Sequence, residues 1–93
     1  MSEPLEDDVL RVSASSTPML VASAIAHAIY EHGTVKLRAV GAGAVNQTVK
    51  AIAIASGYTA PRGISIECVP GFASIESKGD KSSAMVFRVM AVK

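Results

Sequence analysis

The sequence predicts an α/β (α+β) fold: a two-layer sandwich of order β-α-β-α-β-β, with both helices on one face of a four-stranded mixed sheet. Three observations carry this. Segments over 9–14, 34–41, 64–69, 72–76 and 83–92 are rich in β-branched residues and partly alternate, as strands do. Two segments with 3–4 spacing of apolar residues lie between the first three strands, where parallel strands need crossovers. Right-handed crossovers in succession place both helices on the same side.

The first strand, "VLRVSA" over 9–14, leads into "SSTP". Thr17 or Ser16 is placed to cap a helix. Pro18 suits its first position, where a missing N–H costs nothing. That helix runs to about His32, and Gly33 supplies a left-handed C-cap. Val21, Ile25, Ala28 and Ile29 form its inner face; Ser23, His27, Tyr30 and Glu31 form its outer face. "TVKLRAVG" is the second strand. The second helix is expected over 44–56, ending at Gly57, with Val45, Val49, Ile52 and Ala53 as its apolar stripe. "TAPRG" is a turn. "ISIECV" is a third strand, which Pro70 and Gly71 interrupt as an edge bulge or break before "FASIE" resumes it. "SKGDKS" is a mobile hairpin loop, and 83–92 is the last strand.

Parity assigns the faces of the sheet. With Leu10, Val12, Leu37 and Ala39 toward the helices, Arg11, Ser13, Lys36 and Arg38 point away. On the last strand Met85, Phe87 and Val89 point in, and Val86, Arg88, Met90 and Val92 share the uncovered face. A face with both cations and apolar residues implies a homo-oligomer, dimer or tetramer, in contact through last-strand residues.

Composition bounds the function. The chain has 93 residues, enough for one domain over 9–93 behind a flexible acidic tail over 1–8. It is 49% hydrophobic but 4% aromatic, so aliphatic residues must build the core. No apolar run reaches the ~18 residues of a membrane span, and "MSEPLEDD" is acidic and lacks the basic and apolar regions expected of a signal peptide. A soluble cytoplasmic protein is expected. The single Cys68 reads as a small buried hydrophobe and excludes an intrachain disulfide. His27 and His32 lack metal-pair spacing and a carboxylate partner. No nucleophile, base or paired-carboxylate arrangement stands out, so neither an enzyme nor a cofactor or metal is expected. Beyond residue 8, nine Lys and Arg face four carboxylates, a net +5 that suits a polyanion.

Candidate sites lie at the strand-to-helix turns. "GAGAVN" has Gly41 and Gly43 but Asn46 where a dinucleotide fingerprint needs a third glycine, and no P-loop exists. A generic anion site at a helix N-terminus remains, since free amides and the helix dipole both favour negative charge. The plainer alternative is that the glycines only make the turn tight. Ser15, Ser16 and Thr17, with Ser13, offer hydroxyls at the neighbouring turn, or simply cap their helix. Lys78 and Lys81 put charge on the hairpin.

"LRVSASSTPMLVASAIA", "AVGAGAVNQTVKAIAIASGYTAP" and "GISIECVPGF" resemble the stage V sporulation protein S family of bacteria, over about residues 10–92. That family is similar in fold to Alba, a small chromatin protein. The resemblance implies sheet order 1-2-4-3 with strand 4 antiparallel, nucleic-acid binding, a dimer or higher assembly, and a role in bacterial development. Alba-type proteins hold nucleic acid through basic residues in both turns, and the family tends to carry Lys where this chain has Ser15. With no Lys or Arg in either turn, contacts would fall to backbone amides at Gly41 and Gly43, to Ser15, Ser16 and Thr17, to Asn46 and Gln47, and to Arg38, Lys50, Lys78 and Lys81. About three phosphates per subunit would give a log–log salt slope near −3, hence weak, non-specific binding. A protein-interaction module is the alternative reading, and a small-anion sensor a lesser one.

Overall fold

A computed structural model describes residues 9–92. The acidic tail expected over 1–8 lies outside the described residues. The chain forms β1 (Leu10–Val12), α1 (Pro18–His32), β2 (Thr34–Ala39), α2 (Ala42–Thr59), β3 (Ser65–Ser77) and β4 (Asp80–Val92). The sheet order is β1-β2-β4-β3. β1 and β2 are parallel, and β4 is antiparallel to both β2 and β3.

The period-two reading of the sheet holds. Val12, Val35, Leu37, Ala39, Phe87 and Val89 are buried against the helices. From α1 come Ala22, Ile25, Ala26 and Ile29, with Val21 and Ala28 only half-buried beside them. Gly33 ends α1 as expected, at φ 79°, with its N–H donating to the Ile29 carbonyl.

Helix α2 departs from expectation in length and in face. It begins two residues early and runs through Gly57 to Thr59. Its end is set by a 3-10 turn at Ala60–Arg62 and by Gly63, which takes the left-handed C-cap role at φ 78°. Fully buried Thr59 holds this corner, its hydroxyl donating to the Ser56 carbonyl. The buried stripe is Ala44, Thr48, Ala51, Ala55 and Thr59. Val49 is 52% exposed and Ala53 is exposed too, while Val45 and Ile52 are half-buried. The expected stripe was thus displaced by one residue, about 100° of helix rotation. Small side chains face inward, so the helix lies close to the sheet and to α1.

Strand β3 is neither broken nor bulged at Pro70–Gly71. Each residue from Ser65 to Ser77 opposes one from Val92 to Asp80, with Pro70 facing Phe87. Because β3 is the sheet edge, Pro70 loses no ladder bond the sheet needs. The "SKGDKS" loop is shorter than expected. Lys78 and Gly79 alone make the turn, with φ 51° and 84°, as a type I′ hairpin requires. Lys81 belongs to β4.

β4 pairs with β2 only from Met85 onward, whereas its pairing with β3 begins at Asp80. The ribbon therefore extends five residues and its turn past the end of β2, about 17 Å at 3.4 Å per residue. Molecular extents of 45 × 34 × 19 Å reflect this arm on a thin two-layer body.

Candidate nucleic-acid interface

The carboxyl ends of β1 and β2, the starts of both helices and the β3–β4 arm all lie at one end of the sheet. This follows from topology: β1 and β2 are parallel, and the arm overshoots where β2 turns into α2.

The two turns touch. A β-carbon built on Gly43 would come 2.9 Å from the β-carbon of Ala14, so Gly43 allows the first turn to rest on the start of α2. Gln47 ties them further, its Nε2 donating to the Ser16 carbonyl at 2.8 Å. Lys50 Nζ donates to Gln47 Oε1 at 3.4 Å, holding a cation beside the same turn. Gly41 takes φ 92° and ψ 158°, a conformation that only glycine adopts readily. Both glycines thus have a structural reason.

The serine turn spends its hydrogen bonds on itself. Ser16 Oγ accepts from the Ser13 N–H at 2.9 Å, and the Ser16 N–H donates to the Ser13 carbonyl. Ser15 N–H donates to Ser13 Oγ, which also pairs with the Ser15 and Ser16 hydroxyls. This network ends β1 at Val12, earlier than expected. Ser16 Oγ accepts within this network, and its hydroxyl proton is not assigned to a fixed acceptor. The side chain of Thr17, the N-cap residue, makes no capping bond, so side-chain capping by either Thr17 or Ser16 is absent. Of the first α1 amides, Leu20 and Val21 both donate to the Thr17 carbonyl, and Pro18 has none. Only Met19 is left.

The start of α2 is different. Its first internal bond runs from the Val45 N–H to the Gly41 carbonyl. Among the described residues no carbonyl or side-chain oxygen accepts from Ala42, Gly43 or Ala44. Ala42 and Gly43 are exposed, and no acidic residue occupies the first turn. An anion placed there would meet amides and the positive end of an 18-residue helix. Exposed Asn46 and Lys50 lie on the next two turns of the same helix.

Of the other expected residues, Arg38 is half-buried on β2 on the helix-free side, just short of the turn. Lys78 is exposed in the arm's turn, and Lys81 is exposed on β4 directly opposite Glu76 of β3. The histidines differ from expectation in one respect: Glu31 lies four residues after His27 and pairs with it at 3.2 Å, and with His32 at 3.8 Å. All three side chains are largely exposed, and no group of three or more metal-ligating residues occurs among the described residues. Cys68 is half-buried beside the core, and burial pushes its thiol pKa up. No described helix is long and apolar enough to cross a membrane.

Sequence reasoning missed Ala14, whose contact with Gly43 joins the turns. Both residues stand in the quoted turns, but their proximity depends on how α2 crosses β1.

Comparisons with known proteins agree with this arrangement. Alba from Thermoplasma volcanium superposes with a TM-score of 0.58 over 91% of this chain and 99% of that one, at 11% identity. At that identity the likeness is one of fold, and it matches the two helices and the 1-2-4-3 sheet. The family model described as Stage V sporulation protein S (SpoVS) matches residues 8–92. The chain belongs to the stage V sporulation protein S family.

Proposed function

We propose that this protein is a non-enzymatic, cytoplasmic regulator of bacterial sporulation or development that binds nucleic acid by its phosphate backbone. One observation carries the reading: the amides of Ala42, Gly43 and Ala44, unpartnered among the described residues, and the β3–β4 arm that carries Lys78 and Lys81 leave the sheet at the same end. A duplex or single strand laid there meets an anion-favouring helix start, Lys50 and Arg38, and then Lys78 and Lys81. Few of these groups can read base edges, so binding is weak and independent of sequence. Exposed Ser15 and Thr17 supply at most peripheral hydroxyls, and Asn46 and Gln47 line the approach.

Assembly strengthens such binding, because a second subunit doubles the contacts. Phe72 on β3 is 81% exposed, with Val69 on the same strand and Val49 on α2 also open. Phe72 and Val49 support a homodimer or tetramer whose contact involves the helix side of edge strand β3, in place of the last-strand contact on the uncovered face expected from the sequence. Fluorescence anisotropy with labelled DNA and RNA over a salt series tests the function. Binding whose log affinity falls with log salt at a slope near −3 per subunit is expected; no binding to either at low salt would refute it.

A further inference from the structure

The helix-free face of the sheet carries cations that the turn and arm leave largely unused. Arg11 lies directly beside Arg38 in the β1–β2 register. Lys36 lies directly beside Arg88 in the β2–β4 register. Each alternates with a buried neighbour, Val12, Leu37 or Phe87 and Val89, so all four belong to the uncovered face. Together they make a stepped strip from edge strand β1 to β4. Each lateral step is about 5 Å and the step from Arg38 to Lys36 is about 7 Å.

Like charges directly opposed across strands oppose sheet pairing. This sheet accepts two such pairs in adjoining rows. Among the described residues none of the four is ion-paired; the pairs found all involve Glu31. Of the carboxylates on this face, Glu67 opposes Met90 and lies diagonal to Arg88 without an ion pair to it, and Asp80 lies at the arm tip. Val86 lies beside Arg38 and Val69 beside Arg88, and no aromatic side chain interrupts the strip. Bases would find no aromatic platform, while phosphates would find arginine forks and an ammonium.

We infer that the strip Arg11–Arg38–Lys36–Arg88 is a second phosphate-backbone surface, which takes up nucleic acid continuing past the turn and arm. The inference rests on the nucleic-acid reading above. Charge complementarity argues for it, and so does continuity: Arg38 sits one residue before the strand end from which β2 leads to the α2 amides. Neither Lys36 nor Arg88 belongs to the turn or the arm.

The test is anisotropy of the full chain with mixed-sequence duplex DNA and with single-stranded RNA, each over a salt series. The double variant Lys36→Gln/Arg88→Gln is compared with the arm variant Lys78→Asn/Lys81→Gln, and Arg11→Gln serves as an independent variant on β1. With the strip engaged, the wild-type slope should be steeper than the −3 or so per subunit of the turn and arm alone; two lost phosphate contacts should reduce it by about 2 and weaken low-salt binding at least about tenfold, and Arg11→Gln should remove about 1. Removal of opposed like charges should leave thermal melting unchanged or raised, which separates lost contact from lost fold. If the arm variant weakens binding but the face variants match the wild type, the face makes no contact and the proposed function stands without it. If no nucleic acid binds at low salt, both readings fall. If the face variants act only after Glu3, Glu6, Asp7 and Asp8 are replaced by their amides, the chain's own acidic segment holds the strip, and the proposal is overturned in its favour.

Discussion

Gly43 sits against Ala14 so closely that a β-carbon on it would come within 2.9 Å of the Ala14 β-carbon. This contact lets two strand-to-helix turns share one surface. Gly43→Ala should therefore destabilise, although Ala is the better helix former. The gain from propensity is about 1 kcal/mol, while forcing a rigid methyl into a close contact costs about 1–3 kcal/mol. A net loss of about 1 kcal/mol would lower Tm by about 4–8 °C in a chain this size. Ala14→Gly in the same chain should restore it. A Gly43→Ala protein that melts at or above the wild type would show that the turns do not depend on this approach.

Gln47 donates to the Ser16 carbonyl at 2.8 Å, the one side-chain hydrogen bond found between α2 and the first turn. Gln47→Ala should cost about 0.5–1.5 kcal/mol, the range for a single intramolecular hydrogen bond. Urea melts at constant m-value would read it. Lys50 loses its Gln47 Oε1 partner in the same variant. If Lys50 contacts phosphate, affinity should fall much less than in Lys50→Gln.

The arm offers a test in which charge and shape separate. Lys78 holds φ 51° in the two-residue turn, a conformation that costs most side chains about 1–2 kcal/mol and Asn less. Lys78→Asn should raise stability by on the order of 0.5 kcal/mol while removing one cation from the arm tip. Nucleic-acid binding should weaken, with the salt slope reduced by about 0.9. Unchanged binding by a more stable arm would take the tip out of the interface.

Element order, the uncovered face and its cations could be read directly, because a strand period of two leaves little choice once Leu37 is taken as inward. Arg11, Lys36, Arg38 and Arg88 all follow from that parity. The stripe of α2 could not be read the same way. Hydropathy ranks Val49 above Ala51 and Thr48, whereas close helix–sheet packing prefers the smaller residues, and alanines occur on every side of that helix. Pro70 marked an edge correctly, but an unbroken register needs knowledge of the partner strand. The serine turn was opaque for a different reason. Ser13, Ser15 and Ser16 can cap, bind a ligand or bond one another, and only geometry decides among hydroxyls.

Cys68 gives the fold a dependence on alkaline pH. It faces the helix side of β3, laterally paired with fully buried Val89, and burial raises its thiol pKa above the ordinary 9.0. The folded state disfavours the thiolate, so the unfolded chain gives up this proton first. The thiol's contribution is therefore intact below pH 9.0 and is lost as pH rises from there through the folded-state value. Urea melts from about pH 8 to about pH 10 should show stability falling more steeply in the wild type than in Cys68→Val. Every other side chain is common to both chains, so the difference isolates Cys68. Parallel pH profiles would mean that the half-buried thiol ionises as freely in the fold as outside it. The same burial predicts that a thiol-specific reagent modifies native Cys68 more slowly than the urea-unfolded chain, and equal rates would contradict it.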